Sequence, residues 1–433
     1  MAMRTFALVM ALILRAGAQS DLPSQPLCRA AIEGSPAQVR ALLDAGSNPN
    51  IHDDAGRTPL MWASIVIERS SVESHGPRDY VAVGRLLLDK GADVNARDSF
   101  GRTALLMTME GAASEYKVIG ADEAMARLLV ERGANVNAQD QDGWSPLLKA
   151  ASLWADQPQL LPFLLAHGAD ATARLKDGRS VLMLATRLGK ADRLTLLIDR
   201  GGDVNAADEK GETPLMVAAL VRWEDASSEM MKLLLAKGAD ANRKDREGHT
   251  AADRAAEAGY FARAQLLLKS GTKVADPAAF LSNARNQALR REIAEGSVEA
   301  AKTLLDEGAN ASLRDGNGRT LLMIAADNDY SAGKAILLLQ HGAAVNALGS
   351  GNETALMVAA DHYQPDIVKA LLEHDADPNA SDSSGNSVLM HAAASKRSWM
   401  EERQPLIHLL LEKGAEVNHA NARGVTALML MAE

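Results

Sequence analysis

Residues 86–103 read Leu86-Leu87-Leu88-Asp89-Lys90-Gly91-Ala92-Asp93-Val94-Asn95-Ala96-Arg97-Asp98-Ser99-Phe100-Gly101-Arg102-Thr103. The same phrase returns as Leu233-Leu234-Leu235-Ala236-Lys237-Gly238-Ala239-Asp240-Ala241-Asn242-Arg243-Lys244-Asp245. The period is about 33 residues, and Thr-Pro-Leu-Met follows the phrase, as at Thr58-Pro59-Leu60-Met61 and Thr213-Pro214-Leu215-Met216. A unit this short cannot bury its own apolar face. It has to stack on copies of itself, which predicts an all-α solenoid of helix-turn-helix units joined by short β-hairpin or turn connections.

Each unit reads alike. Thr caps the free N–H groups of a first helix, and Pro is tolerated at its first position. Leu, Met and Ala then mark one face. A second helix ends in Leu-Leu-Leu, and Gly closes it, as at Gly91, Gly133, Gly168, Gly201 and Gly238, because glycine enters the left-handed region without strain. Asn-Ala-x-Asp-x-x-Gly turns the chain toward the next unit. Asp53, Asp98, Asp140, Asp208, Asp245, Asp315 and Asp382 are read as turn formers rather than calcium ligands, since the carboxylates do not converge.

On these residues the chain resembles the ankyrin repeat family, whose signature is a 33-residue period with Thr-Pro-Leu-His-x-Ala. The resemblance covers residues 25–433, and with the leader-like start read below, the chain is expected to be an exported, bacterial-type member. One departure is systematic: Met61, Met183, Met216, Met323, Met357, Met390 and Met429 stand where the family has His. This exchanges a polar contact for an apolar one.

Aligned on the Thr-Pro-Leu position, the chain holds eleven units and a partial one, residues 426–433. A first array spans 25–275 and a second 287–433, with 276–286 as an irregular helical junction where Asp276-Pro277 starts a longer helix. Residues 27–46 and 289–308 match, and both open an array with a more polar first helix.

The composition narrows the class. The chain of 433 residues is 47% hydrophobic but only 3% aromatic, so small aliphatic residues build the core. A net charge of −10 with no basic run argues against nucleic acid as a partner. The lone cysteine, Cys28, excludes an intramolecular disulfide and reads as a small buried residue. Residues 1–18 read as a signal peptide: Arg4, an apolar run over 6–14, and Ala16-Gly17-Ala18 before the cut. Residues 19–24 are a short N-terminal segment. The expected location is therefore periplasmic or secreted. The apolar run is too short to span a bilayer.

Five units carry insertions between their helices, and insertions in repeat proteins mark a binding side. Aromatic residues gather there: Tyr80, Tyr116, Trp154, Trp223, Tyr260, Tyr330, Tyr363 and Trp399. Trp and Tyr suit interface hot spots, although such rings can equally pin long loops to the scaffold. A second strip runs along the first helices, where Trp62, Ile65, Val358 and His391 face the concave side. The partner-binding set is thus Trp62, Ile65, Tyr80, Tyr116, Trp154, Trp223, Val358, Tyr363, His391 and Trp399. His362 and His391 can approach each other beside Asp361, but His167, His341 and His374 share one scaffold slot near helix ends. With no nucleophile elbow, phosphate loop or metal pair, the sequence predicts no catalytic residue, no metal and no cofactor. What the resemblance implies is a monomeric, non-catalytic scaffold holding a protein or peptide. The alternative is a targeting or adaptor part of a longer enzyme or effector with its catalytic domain beyond Glu433.

Overall fold

The computed structural model describes residues 23–65, 79–109, 123–153, 159–327, 332–395 and 400–432. The sequence-predicted signal peptide, Tyr116, Trp154, Tyr330, Trp399 and most of the inserted segments lie outside the described residues. The chain forms two compact halves, one ending at Gly248 and the other beginning at His249.

The N-terminal half contains α1 (Pro26–Ile32), α2 (Pro36–Asp44), α3 (Pro59–Ala63), α4 (Tyr80–Asp89), α5 (Ala104–Met107), α6 (Glu123–Glu131), α7 (Pro146–Ser152), α8 (Leu160–Ala166), α9 (Val181–Arg187), α10 (Ala191–Asp199), α11 (Pro214–Leu220) and α12 (Glu224–Ala236). The C-terminal half contains α13 (Ala251–Glu257), α14 (Phe261–Lys269), α15 (Pro277–Glu295), α16 (Val298–Asp306), α17 (Leu321–Asp327), α18 (Ala332–Gln340), α19 (Ala355–Asp361), α20 (Pro365–Glu373), α21 (Val388–Ala394), α22 (Met400–Glu412) and α23 (Ala427–Met431). Odd-numbered helices are first helices and even-numbered ones second helices. Within each half, a first helix packs on the second helix of its repeat and on the first helix of the next. The fold is all-α. Among the described residues there is no strand, only four isolated antiparallel bridges such as Arg174–Ser180.

The local chemistry follows the repeat phrase. Thr58, Thr103, Ser145, Ser180, Thr213, Thr354 and Ser387 accept hydrogen bonds from the backbone N–H three residues on, capping the first helices. The methionines that replace the family histidine are buried at Met61, Met183, Met216, Met323, Met357 and Met390, and Met429 is exposed. Their exchange is not wholly apolar. The thioethers of Met61, Met323 and Met390 each accept the cap residue's own N–H, from Thr58, Thr320 and Ser387, at 3.4 Å. The sulfur thus completes a reciprocal cap. In the C-terminal half, Asp276 accepts from Ala278 N and Ala279 N, and a single 19-residue helix, α15, follows.

Consecutive repeats are joined by asparagine clasps. Asn95 donates to Gly133 O at 3.1 Å and accepts from Asn135 N at 2.7 Å. Asn50, Asn137, Asn205, Asn346 and Asn379 do the same to Gly91 and Asp93, Gly168 and Asp170, Gly238 and Asp240, Asp375 and Asp377, and Gly414 and Glu416. A second set of links joins the C-terminal ends of neighbouring second helices: Asp44 with Lys90, Asp89 with Arg132, Asp199 with Lys237, and Asp306 with His341.

Candidate partner-binding surface

The turn aspartates are committed to the scaffold. Asp53 Oδ1 accepts from Ala55 N and Arg57 N, both at 2.9 Å, and Asp98, Asp140, Asp208, Asp315 and Asp382 repeat the pattern. Each folds its own tight turn.

The concave-strip residues differ from expectation in two places. Trp62 is only 5% exposed. Its indole N–H donates to Asp53 Oδ2 at 3.1 Å, and the Arg57 guanidinium lies over the ring at 4.0 Å. Trp62 is therefore packed into the strip rather than presented by it. Val358 is 6% exposed, because its repeat is stacked between neighbours on both sides. Ile65 is half-buried beyond the end of α3.

Two of the junction aromatics, Tyr80 and Trp223, share one seating. The Tyr80 ring lies over Gly34, where a Cβ would meet Tyr80 Cε1 at 2.9 Å, and Asp79 N donates to Gly34 O at 3.0 Å. Trp223 covers Gly189 in the same manner, and a Cβ there would meet Trp223 Cε3 at 3.1 Å. Glycine is needed at both points twice over, for the close ring and for a φ of +66° at Gly34 and +70° at Gly189. Tyr80 is half-buried, whereas Trp223 is 47% exposed, and Leu220, the last residue of α11, is also exposed. Tyr363 occupies the slot that Gly34 and Gly189 fill in their repeats. It takes φ +52° itself, with Tyr363 N and Gln364 N donating to Ala360 O and Ala359 O to close α19.

The C-terminal half carries a polar ladder across three first helices. Arg319 Nη2 meets Asp327 Oδ2 at 2.9 Å, and Asp327 Oδ1 stands 2.8 Å from His362 Nδ1, an electrostatic contact off the hydrogen-bond line. His362 Nε2 and His391 Nδ1 approach Asp361 from two repeats, at 3.8 and 4.0 Å. His391 Nε2 then reaches Asp382 Oδ2 at 3.3 Å. Burial pulls the His391 imidazole down, but Asp361 and Asp382 together outweigh it and hold its pKa above the ordinary histidine value. Burial pushes Asp382 up. The side chain and backbone of Asn386, the backbone of Ser384 and the charge of His391 outweigh it, so its pKa lies below the usual carboxylate value. The sequence brings His362, Asp361 and His391 together correctly. Asp327 is the repeat counterpart of Asp361 on the same strip, whereas Asp382 and Arg319 reach the ladder from neighbouring turns and are not given by the repeat period.

Buried cations are a second feature the sequence conceals. Arg193 Nη1 donates to Leu153 O at 2.7 Å and Lys334 Nζ to Ile293 O at 3.0 Å. Each side chain caps a carbonyl of the preceding repeat. Burial lowers the Lys334 pKa and nearby Glu292 raises it, with a net depression. Cys28 is buried as expected, and burial together with Asp53 pushes its thiol up to about 12, which disfavours the thiolate. His167 Nδ1 bonds Phe163 O at 2.8 Å at its own helix end, a scaffold contact.

Repeated helix pairs, reciprocal caps and inter-repeat clasps define a tandem-repeat protein of the protein-interaction class. The family description "Ankyrin repeats (3 copies)" matches residues 27–140, 74–174, 112–208, 153–245, 182–278, 289–382 and 337–421, and the chain belongs to the ankyrin repeat family. The chain is 43% identical over 61 residues to the Neurogenic locus Notch protein of Drosophila melanogaster, which is 14% of this chain and 2% of that protein. An ankyrin repeat-containing protein of Schizosaccharomyces pombe is 40% identical over 53 residues, 12% of this chain and 26% of that one. These matches span only a small part of the curated relatives. Among solved structures, the ankyrin repeat domain of Bcl-3 is 24% identical, covering 57% of this chain and 98% of that domain with a TM-score of 0.44. No described helix is long and apolar enough to cross a membrane.

Proposed function

We propose that this protein is a non-catalytic scaffold that holds a protein or peptide along the helix-junction edge and the first-helix strip. The observation that supports this most is Trp223. A half-exposed tryptophan seated on Gly189, close in sequence to exposed Leu220, offers a large apolar area to a partner. Tyr363 supports the same edge, since a bulky residue held at positive φ is the kind of backbone strain that recurs at functional sites. The sequence reading assigns Tyr116, Trp154 and Trp399 to the same edge, and all three lie outside the described residues. The reading also places the protein outside the cytoplasm after removal of residues 1–18.

Affinity capture from the native compartment, with the native chain beside Trp223→Ala, tests the surface. Capture should fall about tenfold or more, the usual loss for a hot-spot tryptophan. Undiminished recovery rejects this edge. N-terminal sequencing of the fractionated protein tests export: a start near Gln19 supports it, and a retained Met1 rejects it.

A further inference from the structure

Asp361 stands between two imidazoles that belong to successive repeats. It is the last residue of α19, His362 follows it, and His391 lies on α21, which stacks on α19. His362 Nε2 approaches Asp361 Oδ2 at 3.8 Å, and His391 Nδ1 approaches Asp361 Oδ1 at 4.0 Å. Both separations are longer than a hydrogen bond. A nitrogen and an oxygen donor on one tetrahedral ion, each about 2.0–2.2 Å from the metal, stand roughly 3.3 Å apart. A small inward rotation of each ring closes the difference. Ser395, just beyond α21, donates its hydroxyl to Asp361 O at 2.6 Å and ties the two repeats together where the donors meet.

The far nitrogen of each ring is backed by a second carboxylate. His362 Nδ1 faces Asp327 Oδ1 at 2.8 Å, and Arg319 Nη2 holds Asp327 Oδ2 at 2.9 Å. His391 Nε2 meets Asp382 Oδ2 at 3.3 Å, and the same oxygen accepts from Asn386 Nδ2 at 2.9 Å. A carboxylate in that place fixes the tautomer and makes the near nitrogen a better donor, which is how metal-binding histidines are oriented. The neutral rings then turn two lone pairs toward a carboxylate, an arrangement that a cation relieves. Both imidazoles are only 18% exposed while Asp361 is 50% exposed, so an ion enters from the carboxylate side.

We propose that Asp361, His362 and His391 bind a divalent transition-metal ion of the zinc class. Two imidazoles and a carboxylate suit Zn²⁺, Co²⁺, Ni²⁺ or Cu²⁺, whereas Mg²⁺ and Ca²⁺ take oxygen donors. The fourth position lies on the exposed side, where water or a side chain of a bound partner completes the coordination. A histidine pair one repeat apart escapes a search for short helical spacing, which is why the sequence alone predicts no metal. The site does not depend on the junction-edge reading.

The test is calorimetric titration of the full, chelator-treated chain with ZnCl₂, and with Co²⁺, whose visible absorption reports tetrahedral coordination. Saturable binding is expected, with excess Mg²⁺ failing to compete. Asp327→Asn removes only the charge behind His362 and should weaken binding about 10–100-fold. His362→Gln and His391→Gln should each weaken it further, with the fold checked by circular dichroism. Imidazole nitrogen spectra of the native chain need no variant: Zn²⁺ should shift Nε2 of His362 and Nδ1 of His391. No saturable binding, binding that survives both histidine variants, or shifts confined to other histidines overturns the proposal. So do rings that respond to acid but not to Zn²⁺, which assigns the ladder to protons alone.

Discussion

Trp62 and Asp53 form one unit of structure: the indole N–H donates to Asp53 Oδ2 at 3.1 Å while Oδ1 of the same carboxylate holds the turn at Ala55 and Arg57. Arg57 Nε reaches the same Oδ2 at 2.9 Å and its guanidinium covers the ring. One buried carboxylate therefore fixes a turn, an arginine and a tryptophan. Asp53→Ala strips the acceptor from all of them and should cost about 3 kcal/mol in urea unfolding. Trp62→Phe removes one hydrogen bond and should cost about 1 kcal/mol, with partner capture unchanged. Loss of capture in Trp62→Phe at intact fold would put Trp62 back on the binding surface.

Tyr363 holds a left-handed backbone where Gly34 and Gly189 hold theirs freely. A side chain in that region costs roughly 1–2 kcal/mol. Tyr363→Gly should therefore leave the C-terminal half as stable or up to about 1 kcal/mol more stable, since lost ring packing offsets part of the relieved strain. Capture of the partner should weaken. A destabilised variant with full capture would mean that the ring serves packing alone.

Thr172 interrupts the clasp series. Its hydroxyl donates to Asp170 Oδ1 at 2.7 Å, a bond inside its own turn, where Asn137 and Asn205 reach the following repeat. Thr172→Asn should add both clasp bonds and stabilise the N-terminal half by about 1 kcal/mol, read as a higher urea midpoint. Asn137→Ala should shift the midpoint the other way by about 1–3 kcal/mol, because it leaves a carbonyl and an N–H of the next turn without that partner. An unchanged midpoint in both variants would show that the clasps add nothing net.

His391 and Asp382 set a pH window. The folded pKa of His391 is raised, so its pairing stabilises the fold fully below the ordinary histidine value of 6.5 and fades as pH rises through the folded value. The folded pKa of Asp382 is lowered from 3.8, so its contribution is present above that value and fades as pH falls through the folded one. The C-terminal half should be most stable in mildly acidic solution and weaker at pH 8. His391→Asn should flatten the alkaline slope. Identical pH profiles for the native chain and His391→Asn would exclude the ladder as its cause.

Much of the fold was legible because each repeat announces its own ends. Thr58, Pro59 and Gly91 are local signals, and a cap or a left-handed glycine depends on the few residues around it. The turn role of the aspartates was legible for the same reason. The site was less so. Facing direction on a first helix did not reveal that Trp62 folds down onto Asp53, since that depends on Arg57 covering the ring. The burial of Arg193 and Lys334 was hidden because the carbonyls they cap, of Leu153 and Ile293, belong to the previous repeat about 40 residues away. His362 and His391 could be paired from repeat spacing alone. Asp327 follows from the same spacing as the counterpart of Asp361, whereas Asp382 enters from a turn that the period does not align with them.

The asparagine clasps have a bearing on how such a gene can change. Each amide, as in Asn95 with Gly133 and Asn135, touches only its successor. A recombination event that duplicates one whole module breaks one clasp and creates two identical ones, while deletion of a module rejoins its neighbours by the same pair of bonds. Copy number can therefore drift between relatives without any compensating substitution, and the span offered to a ligand can lengthen or shorten in steps of one module.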